Sequence, residues 1–194
     1  MEKRKVKNKV KYRQKTSLVI KQLKSIDTRV IDKTYAAFPD DVDTGLDLYT
    51  EISTSDDYLN LLTQYGDVKW KTLIVTFEPL VLFSSTKTDC ASGYFGVRQG
   101  VFESPVAARS ASAVVTLPGS IPINNHRKFT HQTSILCSNF FPFNMPNTSV
   151  SQVPKVSLYF GYVNLASTNV HNGQLRFRLI VEVRNRLDAF EHIE

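Results

Sequence analysis

Gln174-Leu-Arg-Phe-Arg-Leu-Ile-Val-Glu-Val-Arg184 is the stretch on which the fold turns. Leu175, Phe177, Leu179, Val181 and Val183 alternate there with Arg176, Arg178, Ile180, Glu182 and Arg184. A period of two sends successive side chains to opposite faces of an extended chain, whereas a helix would scatter both sets around its axis. The segment predicts a long antiparallel strand with one face on a core and the other in water.

Outward from it, Lys69-Trp-Lys-Thr-Leu-Ile-Val-Thr-Phe77 is rich in β-branched and aromatic residues and stops at Glu78-Pro79. Gly93 to Phe102 and Lys155 to Val163 read as two more strands, with weaker ones near 28–37, 111–116, 121–131 and 132–138. One short helix is expected, Asp56 to Gln64. Ser55 caps it, Asp56 and Asp57 suit the positive end of its dipole, and Gly66 is expected to stop it. Tyr58, Leu61, Leu62 and Tyr65 share one face of it. Residues 16–26 are left between a short helical stripe and an extended lead into the first strand. Proline and glycine punctuate the rest, and neither βαβ alternation nor a repeat occurs. The pattern predicts an antiparallel β-sandwich.

Charge divides the 194 residues unequally. Residues 1–24 hold ten Lys or Arg against the lone Glu2, a net of +9. The other 170 hold 14 basic and 17 acidic side chains, a net of −3. Residues 1–15 have too little apolar matter to offset the entropy of ordering, so they are expected to be disordered alone. Lys3, Lys5, Lys7, Lys9, Lys11, Arg13 and Lys15 occupy every odd position, and Arg4 adds an eighth cation. Period two puts the seven on one side of an extended chain, which suits an arm laid along a polyanion. Coincidence within a solvated tail is the other reading. Lys3-Arg4-Lys5-Val6-Lys7 also matches the loose pattern of a nuclear import signal.

Several classes fall away on composition. No apolar run approaches the length that spans a bilayer, and the charged N-terminus lacks an apolar secretory core, so a soluble, cytosol-made, non-membrane protein is expected. Cys90 and Cys137 are expected to be reduced and packed, and His126, His131, His171 and His192 show no helical metal spacing. His126 and His131 read as surface or interface residues. No phosphate loop, dinucleotide fingerprint, nucleophile elbow or zinc-protease motif occurs, so no catalytic residue, metal site or cofactor is expected. Asp40, Asp41, Asp43 and Asp47 form the one acidic cluster: a solvated loop, a helix start, a contact with neighbouring basic residues, or oxygen ligands for interfacial calcium. Phe140, Phe141, Phe143 and Met145 crowd a proline-bearing loop, which suits either a subunit interface or a lid folded onto the sandwich.

Two stretches carry a family resemblance. Ser55-Asp-Asp-Tyr-Leu-Asn-Leu-Leu-Thr-Gln-Tyr-Gly-Asp-Val-Lys-Trp-Lys-Thr-Leu-Ile-Val-Thr-Phe-Glu-Pro79 runs a short helix past a tyrosine into a core strand that ends on an aromatic and a proline. Lys155 to Arg186 runs a strand through a Ser/Thr loop and Gly173 into the long final strand. Both resemble single-jelly-roll viral capsid proteins, most of all those of circular Rep-encoding single-stranded DNA (CRESS) viruses, which are related to small RNA-virus and satellite-virus capsids. The resemblance covers roughly residues 50–187, plus the arm by type. It implies an eight-stranded jelly roll in two four-stranded sheets, with residues 1–26 as the arm and 27–194 as the shell domain. It further implies a closed icosahedral shell of sixty copies (T=1), a packaged single-stranded genome with DNA favoured over RNA, and a place in the virion after assembly in the host cytoplasm or nucleus. A non-viral jelly-roll binding protein, lectin-like or a cellular nucleic-acid binder, is the alternative.

Overall fold

The final alternating stretch forms a strand from His171 to Arg186, and Leu175, Phe177, Leu179, Val181 and Val183 are each 0% exposed. The computed structural model describes residues 26–39, 43–79, 92–100, 107–124, 127–143, 153–164 and 171–187. In chain order the elements begin with β1 (Asp27–Pro39), β2 (Thr44–Asp47), α1 (Leu48–Ser53), α2 (Asp56–Gln64), β3 (Tyr65–Pro79) and β4 (Ser92–Gln99). They continue with α3 (Ala111–Val114), β5 (Ile121–Asn124), β6 (Phe129–Ser134), the two-residue β7 (Phe141–Pro142), β8 (Val156–Asn164) and β9 (His171–Arg186).

Strands β1, β9, β3 and β6 form one sheet in that order, with β7 paired to β3; β2, β8, β4 and β5 form the other. Every pairing is antiparallel, and chain neighbours seldom sit side by side. The two-residue β7 makes the first sheet five-stranded; without it, two four-stranded sheets joined this way are a jelly roll. Between them lies one core. Trp70, Phe177 and Leu179 enter it from the first sheet, and Phe95, Leu158 and Phe160 from the second. Phe77, Phe129 and Phe95 stack in series at centroid distances of 5.7 Å, so aromatic contact runs from one sheet to the other.

Strand β3 buries Val68 and Trp70, then Leu73, Val75 and Phe77, so its inward phase switches from even to odd positions. Its register against β9 moves from Trp70↔Val181 to Thr72↔Ile180. Lys71 is the extra residue of a β-bulge, and one inserted residue inverts the facing of everything beyond it. The bulged Lys71 carbonyl is not orphaned, since it accepts from the Ile135 N–H at 2.8 Å.

Five details depart from the sequence reading. Residues 111–116 hold a one-turn helix instead of a strand. In α3 the small side chains let the backbone settle on β8, where a Cβ at Gly161 would come within 2.7 Å of the Ala111 nitrogen. The expected strands 121–131 and 132–138 are redrawn as β5 and β6, which lie in different sheets. Strand β2 has no counterpart in the sequence reading, and helix α1 only the helix start allowed at the acidic cluster. Gly66 does not stop α2, because Tyr65 is already extended (φ −132°, ψ 144°) and the chain passes straight into β3. His131 points inward, half-buried with its ring edge on Phe95 at 5.3 Å, and burial lowers its pKa.

Strand β8 is covered on both faces, with Ser157 and Tyr159 as buried as Leu158 and Phe160, and α3 forms part of the second cover. Gly161→Ala is therefore expected to force α3 off the strand and cost about 1–3 kcal/mol, as overpacking does. Urea unfolding reads this directly, and an unchanged midpoint would mean that α3 does not rest on β8.

Candidate nucleic-acid interface

Lys3, Arg4, Lys5, Lys7, Lys9, Lys11, Arg13 and Lys15 lie outside the described residues, and the expectation about them is untouched by the fold. What the structure does place is the root of the arm. Ile26 is 56% exposed, and Asp27 then opens β1 at the edge of the first sheet. The Tyr65 hydroxyl fastens this point, donating to Asp27 Oδ2 at 3.0 Å and accepting from Arg29 Nη2 at 2.8 Å. The free edge of β1 is partly capped as well: the Asp32 N–H donates to Asp57 Oδ2 of α2 at 2.9 Å.

The outer face of the first sheet is a lattice of cross-strand charges, because β9 turns its even-numbered residues outward. Asp32 of β1 accepts from Arg178 Nε at 3.0 Å and Nη2 at 3.3 Å, and also from Arg176. Lys71 reaches Glu182 at 3.2 Å, Arg184 Nε reaches Asp67 at 2.9 Å, and Lys128 meets Glu78. Such exposed pairs each contribute about 0–1 kcal/mol and chiefly favour this register over others. A shallow depression of about 210 Å³ lies between Ile74, Thr76, Glu78, Lys128, Arg176 and Arg178.

Partial burial alone would push the Asp32 carboxyl up, but the bonds from Arg178 and Arg176 outweigh it and hold the pKa below the ordinary carboxylate value. A depressed folded-state pKa stabilises above the unfolded value of about 4 and loses that contribution as pH falls through the folded one. Asp32→Asn is thus expected to flatten the acid limb of the stability curve below about pH 4, by roughly 1 kcal/mol or less for a partly exposed pair. Melting temperatures from pH 2 to 7 check it; an unaltered acid limb would dismiss the pair as a contributor.

The phenylalanine loop divides. Phe141 and Phe143 are each 2% exposed and pack in the protomer's own core, Phe141 against Trp70 at 6.0 Å and Phe143 against Tyr58 at 5.2 Å. They have no surface left for a neighbour, so the interface expectation is corrected at both in favour of the lid; pairing of β7 with β3 turns them inward. Met145 lies outside the described residues. Phe140 alone stays half-buried, on the outer side, with the Arg184 guanidinium 4.3 Å and Lys69 Nζ 5.9 Å from its ring centre. Beyond it a cleft of about 570 Å³ runs between Leu136–Phe141 and Val153–Lys155.

The acidic cluster also resolves in part. Asp47 caps α1, accepting from the Thr50 N–H at 3.0 Å, which is the helix-start reading; Asp43 accepts from the Tyr162 N–H at 2.8 Å. Asp40 and Asp41 are outside the described residues, as is Cys90, while Cys137 is a free, half-buried thiol. Among the described residues no group of three or more His, Cys, Asp or Glu is placed to hold a metal ion. No helix among them is long and apolar enough to cross a membrane. The meeting of Lys69, Arg184 and Phe140 was not legible in sequence, because it depends on strand register and on the course of a loop.

No family model matches the chain, and no curated protein matches it by sequence. Solved structures do. Cocksfoot mottle virus aligns with a TM-score of 0.61 at 10% identity, over 87% of this chain and 100% of the other. Mud crab tombus-like virus aligns at 0.59 and 11% identity, over 84% and 90%. The BFDV capsid protein, solved as a decamer, aligns at 0.52 and 11% identity, over 82% and 99%. At such identities the likeness establishes the fold: a single jelly roll of the kind found in viral capsid proteins.

Proposed function

We propose that this chain is the coat protein of a small virus, which closes into an icosahedral shell and packages a single-stranded genome with its basic arm. The observation that carries the reading is the partition of charge, +9 over residues 1–24 against −3 over the remainder, joined to a jelly-roll body. An arm of that charge binds phosphates through counterion release and carries no base code of its own. Lys3, Arg4, Lys5, Lys7, Lys9, Lys11, Arg13 and Lys15 are its phosphate ligands. The mildly acidic body leaves the arm as the chief attraction for a polyanion. Sixty copies make the smallest such shell, and on the order of 540 arm charges would then face the genome. DNA is favoured over RNA on the sequence resemblance alone, since charge does not distinguish the sugar. The virion is its place, with the host cytoplasm or nucleus as the site of assembly.

The test is to express the full chain and image the purified product by negative stain, then extract and nuclease-type whatever it protects. Uniform hollow particles holding nuclease-resistant single strands are expected. Small discrete oligomers free of nucleic acid would refute the reading and favour a lectin-like binder.

A further inference from the structure

We propose that the folded body adds a phosphate-binding pair of its own, Lys69 and Arg184 gathered on the ring of Phe140, which continues the arm's path from its root. The inference rests on the reading of the arm as a nucleic-acid binder and extends it to named residues of the shell domain.

Arg184 differs from Arg178 of the same face. Its Nε donates to Asp67 Oδ2 at 2.9 Å, and its guanidinium lies 4.3 Å from the Phe140 ring centre. Asp67 is itself held by Asn185 Nδ2 at 2.7 Å, with Asn185 in the left-handed region (φ 60°) that asparagine tolerates. One nitrogen and one face of the guanidinium are thereby fixed, while its two terminal nitrogens have no protein partner among the described residues. A guanidinium oriented in advance and open at its fork matches the geometry of a phosphate. Arg178 offers the contrast: it spends Nε and Nη2 together on Asp32.

Lys69 is the second member. Its Nζ lies 5.9 Å from the same ring, and no carboxylate among the described residues is within ion-pair reach of it, whereas Lys71 is engaged with Glu182 at 3.2 Å. The ring holds both cations by its quadrupole without neutralising them. Position supplies the remaining argument. Asp27 pairs with Val183, and Val183 with Val68, so the first strand residue after the arm is two inter-strand spacings, about 10 Å, from the residue before Lys69. A polyanion lying along the arm therefore reaches this pair as it arrives at the body, and the pair's charge is complementary to it.

The experiment is fluorescence anisotropy of a labelled twenty-nucleotide oligothymidylate against the full chain over a salt series. Lys69→Gln/Arg184→Gln is compared with wild type and with Arg178→Gln, and melting curves follow the fold of each. Two lost phosphate contacts should shallow the slope of log K on log salt by about 1.4. Arg178→Gln should leave the slope unchanged, and Arg184→Lys, which keeps the charge but not the fork, should fall between. If the double variant does not fold, Lys69→Gln alone breaks no ion pair and should shallow the slope by about 0.7. A folded double variant with the wild-type slope overturns the proposal, as does an equal loss in Arg178→Gln. Unchanged binding with altered sedimentation of assemblies also overturns it, assigning the pair to a neighbouring copy instead. In each of those cases the arm reading survives; only a wild-type chain that fails to bind the strand brings down both.

Discussion

Full-length protein with Lys3, Lys5, Lys7, Lys9, Lys11, Arg13 and Lys15 all changed to glutamine is expected to lose most of its affinity for single-stranded nucleic acid. Those seven changes take residues 1–24 from a net of +9 to +2. At about 0.7 counterions released per phosphate contact on a single strand, the salt slope should collapse from roughly −6 to between −1 and −2. A slope of −6 corresponds to more than three decades of affinity between 50 and 200 mM salt, so the effect dwarfs any single contact on the body. The melting temperature should hardly move, because none of these residues lies in the described sandwich. A second chain with the same seven cations gathered into one block separates charge number from alternation: equal slopes would mean that only the count matters. Undiminished binding by the glutamine variant would relocate the interface to the folded body.

The largest stability effect should come from Trp70. It is 0% exposed and packs between Tyr49 at 6.3 Å and Phe141 at 6.0 Å, with α1 and β7 as the elements behind those partners. Trp70→Ala is expected to cost about 3–5 kcal/mol, a transfer loss plus a cavity that the neighbouring strands cannot collapse to fill. Against a typical total of about 5–15 kcal/mol, that is enough to leave the protein marginal or unfolded. The indole also carries a debit, since Trp70 Nε1 is buried without a hydrogen-bond partner among the described residues. An orphaned donor of that kind costs roughly 1–3 kcal/mol. Trp70→Phe loses volume but sheds the orphan, so it should remain within about 1–2 kcal/mol of wild type. Urea denaturation of the three proteins checks both statements. A phenylalanine variant as unstable as the alanine one would show that the N–H is satisfied after all, and a wild-type midpoint for Trp70→Ala would remove the residue from the core.

Much of this architecture was legible in the chain because strand facing is a local property. Leu175, Phe177, Leu179, Val181 and Val183 announce their burial by alternation alone, and Ser55 announces a helix start three residues before the N–H it accepts from, that of Tyr58. Asp47 was half legible: an acid before a short apolar stretch fits a cap, but α1 is too short to declare itself by period. Residues 111–116 misled because Ala-Ser-Ala-Val has no strong period, and what decides them is the bare surface of Gly161, 50 residues further on. The phenylalanine loop misled for a related reason. Apolar side chains near prolines fit an interface and a lid equally well, until the pairing of β7 with β3 turns Phe141 and Phe143 inward.

By itself the sequence determined the long strands that became β3, β8 and β9, which face of β9 would be buried, and that nearly all surplus positive charge would sit at one end. Those are properties of neighbours along the chain, set by a two-residue period and by composition. Only the tertiary structure decided which strands pair, where Lys71 inverts the facing of β3, and that Lys69, Arg184 and Phe140 come together beside the root of the arm. Pairing and register arise between segments from 26 residues apart, as at Phe95↔Ile121, to 156 apart, as at Asp27↔Val183, and no local pattern records the partner.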